Sequence, residues 1–231
     1  MSTLHLLSGG AAFGLVSKLE GRFAADTNCR IAGTYNAVGA MRDQLLAGAP
    51  CDVVILTAAL IAQLEASGHV MPGSARHLGK VKTGVAVKAG DAQPTVGTPD
   101  ELKAALLGAT GIYFPDPVKA TAGIHFMNVM KQLGIDTTVA DRLHPFPNGA
   151  TAMGAMAANP ASGLIGCTQI TEIMYTQGVQ LIAPLPPEFE LATTYTAAIC
   201  TRCDSPNAAG ALIALLAGPD TADLRRAGGF E

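Results

Sequence analysis

Four short stretches hold the residues with the clearest chemical use. They are Ser8-Gly9-Gly10-Ala11, Tyr35-Asn36-Ala37-Val38-Gly39, Asp116-Pro117-Val118-Lys119-Ala120-Thr121-Ala122-Gly123 and Pro147-Asn148-Gly149-Ala150-Thr151. In each, an apolar strand-like run gives way to small residues and then to helical spacing. The first N–H groups of a helix have no partner within it, and its dipole favours negative charge there by about 0.3–1 kcal/mol. The chemistry offered is therefore anion binding through Gly9, Gly10, Ala11, Ala37, Val38, Ala122 and Gly149, with Ser8, Asn36, Lys119, Thr121, Asn148, Thr168 and Gln169 beside them. Hydroxyls and amides suit a carboxylate and Lys119 adds one positive charge, so a small di- or tricarboxylate is the expected ligand. Glycine and alanine at any one junction serve a tight turn equally well; it is the repetition of one character four times that favours the anion.

A second chemistry is proton transfer. If the protein is an enzyme, His125, Lys119 and Tyr113 are its candidate proton carriers. Cys200-Thr201-Arg202-Cys203 has the C-x-x-C spacing of redox sites, but it ends a strand instead of opening a helix, where a thiol pKa would fall. With no second such pair, zinc is not expected. The turn at Ser8 lacks the G-x-G-x-x-G register, and there is no G-x-x-x-x-G-K-[ST], H-E-x-x-H or G-x-S-x-G. Neither a cofactor nor a metal is expected.

The elements that must position these residues alternate. Residues 4–7, 30–35, 52–56, 84–87, 112–114, 164–167 and 193–200 read as strands. Helical spacing covers 13–23, 40–46, 58–67, 99–107, 121–133, 151–158, 171–176 and 206–216. Thr98-Pro99-Asp100-Glu101 forms a capping box with proline at the first helical position. Such alternation predicts an α/β protein with mostly parallel sheets.

Composition narrows the function. The 231 residues are 49% hydrophobic and 14% charged, enough for one large domain or two lobes. A net charge of -3 leaves no electrostatic footprint for nucleic acid, and no apolar run is long enough to span a bilayer. Five cysteines, an odd number, fit a reducing compartment better than a disulfide framework. The first residues lack a basic region followed by an apolar one. The expected location is therefore the cytoplasm, or the periplasm if a leader has been removed.

The run GAPCDVVILTAALIAQLEASGHV (residues 48–70) resembles the turn, buried strand and helix of type 2 periplasmic binding proteins. VKTGVAVKAG (81–90), IYFPDPVKATAGIHFMNVMKQLGI (112–135) and LIAPLPPEFELATTYTAAI (181–199) extend the resemblance along essentially the whole chain, to the molybdate-binding branch. It implies two α/β lobes with mixed, mostly parallel sheets, joined by two crossing strands, with a ligand cleft between them. The lobes would be residues 1–83 with 195–231, and 84–194, hinged near 82–88 and 192–198. Molybdate binders use two serine hydroxyls and a tyrosine; these positions fall on Ala11, Val38 and near Gly166 here, while Ala122 persists. Leaving oxyanion acceptors unpaired typically costs ~1–3 kcal/mol each, so molybdate and tungstate are not expected. The expected function is small-anion binding, with a membrane transporter as partner if the protein is exported. The alternative is a cytoplasmic isomerase, because the resemblance extends to aconitate isomerases, which would move a proton between carbons of a carboxylate substrate.

Overall fold

Short buried strands alternate with amphipathic helices in the computed structural model, which describes residues 2–231. In chain order these are β1 (Ser2–Gly9), α1 (Phe13–Thr27), β2 (Cys29–Asn36), α2 (Val38–Leu46), β3 (Val53–Thr57), α3 (Ala58–Ala66), β4 (Arg76–Lys88), α4 (Pro99–Gly108) and β5 (Gly111–Pro115). There follow α5 (Thr121–Gln132), β6 (Leu143–Phe146), α6 (Gly149–Ala158), β7 (Leu164–Gln169), α7 (Ile170–Tyr175), β8 (Val179–Pro184), β9 (Ala192–Ile199), α8 (Pro206–Ala217) and α9 (Ala222–Ala227). The α/β class is as the alternation predicts. The chain divides into two units: residues up to 81 with 193–231, and residues 82–192.

In the first unit β1 lies between β2 and β3, parallel to both, and β9 runs antiparallel to β3. Its core gathers Leu4 and Leu6 of β1, Phe23 of α1, Val53 and Ile55 of β3, and Leu212 and Leu216 of α8. Full burial of a side chain such as Phe23 stabilises by roughly 1.5–3 kcal/mol. Asn28 ends α1 in the left-handed conformation at φ 52°, a state in which asparagine is less strained than most residues. Asp52, just before β3, accepts the N–H groups of His5 (2.7 Å) and Asp204 (2.9 Å), which ties three chain segments at one point.

The second unit repeats this order. β5 lies between β6 and β7, parallel to both, while β4 runs antiparallel to β7 and β8. Alternation along the strands divides its apolar residues into two layers. Val85, Phe114 and Cys167 pack with Phe126 and Val129 of α5; Ala86, Tyr113 and Leu164 pack with Met153 and Met156 of α6. The capping box at Thr98 and Glu101 forms as the spacing predicts. Strands β6 and β8 and helix α9 lack a clear apolar period: β6 is four residues, LHPF, with His144 and Pro145 exposed.

In each unit the strand order reverses beside the central strand, between β1 and β3 and between β5 and β7. Ligands of open α/β sheets sit beyond the strand carboxyl ends at such points.

Candidate functional site

In the first unit Gly9 is paired with Asn36, so the junctions that follow β1 and β2 lie side by side. Gly10–Ala12 forms one 3-10 turn ahead of α1, and α2 starts from Ala37. Neither the turn, nor α1, nor α2 receives a side-chain cap. The neighbouring α3, by contrast, is capped by Thr57, which accepts from Leu60 N–H. Gly9 is needed for this closeness, because a Cβ there would lie 2.7 Å from Val38 Cγ1 and 3.1 Å from Tyr195 Cε1. Ser8 is wholly buried, its hydroxyl donating to the Gly9 carbonyl at 2.9 Å. Asn36 Oδ1 accepts from Ala37 N–H at 2.8 Å, and Ala11, Ala37 and Val38 are buried. Phe13 meets Tyr35 edge to face at 5.0 Å. Burial first, and then Glu20, holds the Tyr35 phenol far above its usual range, so it stays a neutral donor.

In the second unit the junction after β5 begins with Asp116, whose carboxylate accepts from Val118 and Lys119 N–H at 2.6 and 3.0 Å. Asp116 is thus the turn-former of the loop. Helix α5 follows from Ala120 with no side-chain cap, Thr121 half-buried and Ala122 buried. Gly123 lets the first turn of α5 lie against the end of β5, since a Cβ there would overlap the Pro115 and Asp116 carbonyls.

Gln169 ends β7, one strand from β5, and is 2% exposed. It pairs with Thr83 across β4, so both side chains point to one face. Val85 and Cys167, two residues further along, share that face and pack with α5. Gln169 and Thr83 therefore lie on the α5 side of the sheet, at the strand end where α5 starts. Neither amide atom of Gln169 nor the Thr83 hydroxyl has a hydrogen-bond partner among the described residues. A buried polar group in this state normally marks a bound water or ligand.

The junction after β6 is built differently. Asn148 Oδ1 accepts from both Thr151 N–H (2.8 Å) and Thr151 Oγ1–H (2.9 Å), capping α6. A buried carboxylate from α7, Glu172, reaches the same helix start. It accepts from the Thr168 hydroxyl at 2.5 Å and from the N–H groups of Gly149, Ala150 and Gln169. Burial pushes Glu172 up to about 7, although all these hydrogen bonds pull the other way. Gly149 has to be glycine, because a Cβ there would overlap the Glu172 carboxylate and Thr168 Oγ1. Thr168 and the first N–H groups of α6 are thus engaged by the protein's own carboxyl group. Sequence reasoning missed Glu172; the signal available was an acidic residue four positions beyond Thr168, in a segment otherwise buried.

The three candidate proton carriers do not come together. Lys119 is exposed in the loop before α5. His125, in the second turn of α5, donates from Nε2 to the Phe189 carbonyl at 2.8 Å, which leaves the lone pair of the neutral ring on Nδ1. The Tyr113 hydroxyl accepts from Asn159 Nδ2 at 2.7 Å, at the C-terminal end of α6, and its ring stacks on His144 and Phe146. The Tyr113 hydroxyl is thus held at the far end of α6 from the junction that opens it. No group of three or more His, Cys, Asp or Glu that could hold a metal occurs among the described residues. None of their helices is long and apolar enough to cross a membrane.

Comparison with known proteins bears on the whole chain. The family described as bacterial extracellular solute-binding protein matches it over residues 4–231. An aconitate isomerase of a Pseudomonas species is 25% identical over 228 residues, covering 96% of this chain and 85% of that protein. The periplasmic molybdate-binding protein of Azotobacter vinelandii superposes with a TM-score of 0.81 at 19% identity, over 99% of this chain and 98% of the other. The sulfate-binding protein of Mycobacterium tuberculosis gives 0.75 at 17% identity, over 100% and 86%. The structural likenesses show the fold, that of the type 2 periplasmic binding proteins.

Proposed function

The chain belongs to the bacterial extracellular solute-binding protein family, and from that premise we propose that it binds a small di- or tricarboxylate. The donors would be the side chain of Gln169 and the main-chain N–H groups at the start of α5. The observation that carries this reading is the Gln169 amide, buried and without a partner at the strand end where α5 begins. An amide supplies both a donor and an acceptor. It therefore suits a ligand with carboxylates and a protonated or hydroxyl group better than a fully ionised oxyanion, which only accepts. The positions of the molybdate hydroxyls hold Ala11 and Val38, which support the same preference. In the cytoplasm such a protein would hold or sense its ligand; if exported, it would deliver the ligand to a membrane transporter.

Thermal-shift measurements test the ligand. Citrate, tricarballylate or an aconitate isomer at 100 Kd should stabilise the protein by roughly 2.7 kcal/mol. Stabilisation by molybdate or sulfate alone would overturn the carboxylate assignment.

A second reading is supported by the aconitate isomerase relative. In it the bound tricarboxylate loses a proton from the carbon next to one carboxylate and regains one two carbons away. Helix starts would stabilise the charge that develops between the two steps. The base would be Nδ1 of His125 or the amine of Lys119. Proton NMR of cis- or trans-aconitate with the protein decides it: growth of the other isomer supports the enzyme, and unchanged spectra at high protein concentration remove it.

A further inference from the structure

We infer that Cys51 and Cys200 are an oxidisable pair, which a low-molecular-weight disulfide converts to an intramolecular disulfide within the first unit. The Cys200 thiol donates to Cys51 Sγ at 3.4 Å, while the Cys51 thiol donates to the Val53 carbonyl at 3.1 Å. The two sulfurs are thus already in contact, and a bond of about 2.05 Å needs only a small rotation of each side chain. The backbone holds them there. Cys200 N–H donates to the Asp52 carbonyl at 2.9 Å, continuing the β3–β9 ladder one residue beyond Val53 and Ile199. Both cysteines line a cavity of about 140 Å³, which also contains His5, His69 and Arg202, and Cys51, 9% exposed, is the thiol of the pair that a small reagent would meet first. Cys51 and Cys200 are buried, as are Cys29 and Cys167 elsewhere, but only this pair has its sulfurs in hydrogen-bond contact among the described residues; Cys203 is partly buried.

The reaction balances as two exchanges. The Cys51 thiolate attacks one sulfur of the reagent, giving a mixed disulfide and expelling a thiolate that takes up a proton. The Cys200 thiolate then attacks Cys51 Sγ, and the second reagent half leaves and is protonated. The protein loses two electrons and two protons, and the reagent disulfide is reduced to two thiols. The hydrogen bond to Cys51, followed by burial, pushes the Cys200 thiol far above its usual range. The closing step should therefore be slow and accelerate about tenfold per pH unit. An odd count of five cysteines then resolves into one pair and three single thiols, so the count alone does not place the protein in a reducing compartment.

The test treats the whole protein with 2-hydroxyethyl disulfide at pH 8.5. In C203S, which removes the partly buried thiol that the reagent could cap singly, the titratable thiols in denaturant should fall from four to two, and a non-reducing peptide map of the unmutated protein should show Cys51 joined to Cys200. The bond would close a loop of 149 residues, so the midpoint of thermal unfolding should rise by roughly 5–15 °C. C51S and C200S should each abolish the rise and the cross-link, and C203S should keep both. A map showing Cys200 joined to Cys203, a cross-link only between molecules, or four thiols persisting in C203S after treatment would overturn the pair. The map is read on the unmutated protein, so it stands even where a serine variant fails to fold.

Discussion

The starts of α5 and α6 look alike in sequence, each a turn of small and polar residues between a strand and a helix. In the structure they are opposites. The α6 start holds an internal carboxyl group: Glu172, enclosed by Thr168 and the N–H groups of Gly149, Ala150 and Gln169, with Asn148 capping the same turn. The α5 start has no side-chain cap, and beside its strand end lies an amide with no partner. One junction is satisfied by the chain itself, while beside the other the Gln169 amide has no partner among the described residues. Two helix starts of similar sequence thus differ in whether a side chain of the protein occupies them.

The strongest way to break the contrast is to empty the α6 start. Gly149→Ala pushes the Glu172 carboxylate from its place, and Glu172→Ala leaves several donors unpaired. Each should lower unfolding free energy by about 3 kcal/mol or more, read from urea titrations. A loss below about 1 kcal/mol for both would mean that the carboxylate is not what holds this junction.

The next effect is on pH. The folded-state value of Glu172, about 7, lies above its usual 4.5. The folded protein therefore binds the extra proton between these values, and the stability contributed by this group falls as pH rises through them. The change should total about 3 kcal/mol, complete slightly above pH 7. Glu172→Gln should flatten that part of the stability–pH profile; an unchanged slope would assign it to other groups.

Gly123→Ala acts on the other junction. Its Cβ would meet the main-chain carbonyls of Pro115 and Asp116, so α5 must retreat, at a cost of about 2 kcal/mol. Ligand-induced stabilisation should shrink with it, which a thermal-shift series would reveal. The smallest effect on stability should come from Gln169→Leu. Removing a buried unpaired amide should leave unfolding free energy within about 1 kcal/mol of the unmutated protein, or raise it. Carboxylate binding should nevertheless weaken roughly 10–100-fold, the equivalent of one or two lost hydrogen bonds. Weak stability combined with unchanged binding would make Gln169 a structural residue and dissolve the comparison.

Much of the frame was legible in the sequence, because periods of 2 and 3.6 in apolar residues report directly on burial. Strands such as Val53–Thr57 and Gly111–Pro115 are buried almost throughout. The capping box at Thr98 declares itself by spacing alone. β6 was not legible, because it gains its place by pairing with β5 and not from its own four residues. At the site, position could be read but commitment could not. Thr168 and Gln169 are adjacent polar residues at the end of one strand, yet alternation turns Thr168 towards α6 and Glu172, and Gln169 towards α5. Which of the two was satisfied internally depended on Glu172, whose partner Gly149 lies 23 positions earlier.

One feature of the chain path bears on how the protein is made. The second unit is a continuous stretch, residues 82–192, whereas the first unit needs residues 193–231 to supply β9 and α8. A ribosome therefore completes the second unit while the first still lacks the strand beside β3, and with it an apolar edge is left open. Folding on the ribosome should run inside out, the inserted unit first. The last 39 residues, 193–231, would then close the edge that had waited since the strand Val53–Thr57 emerged.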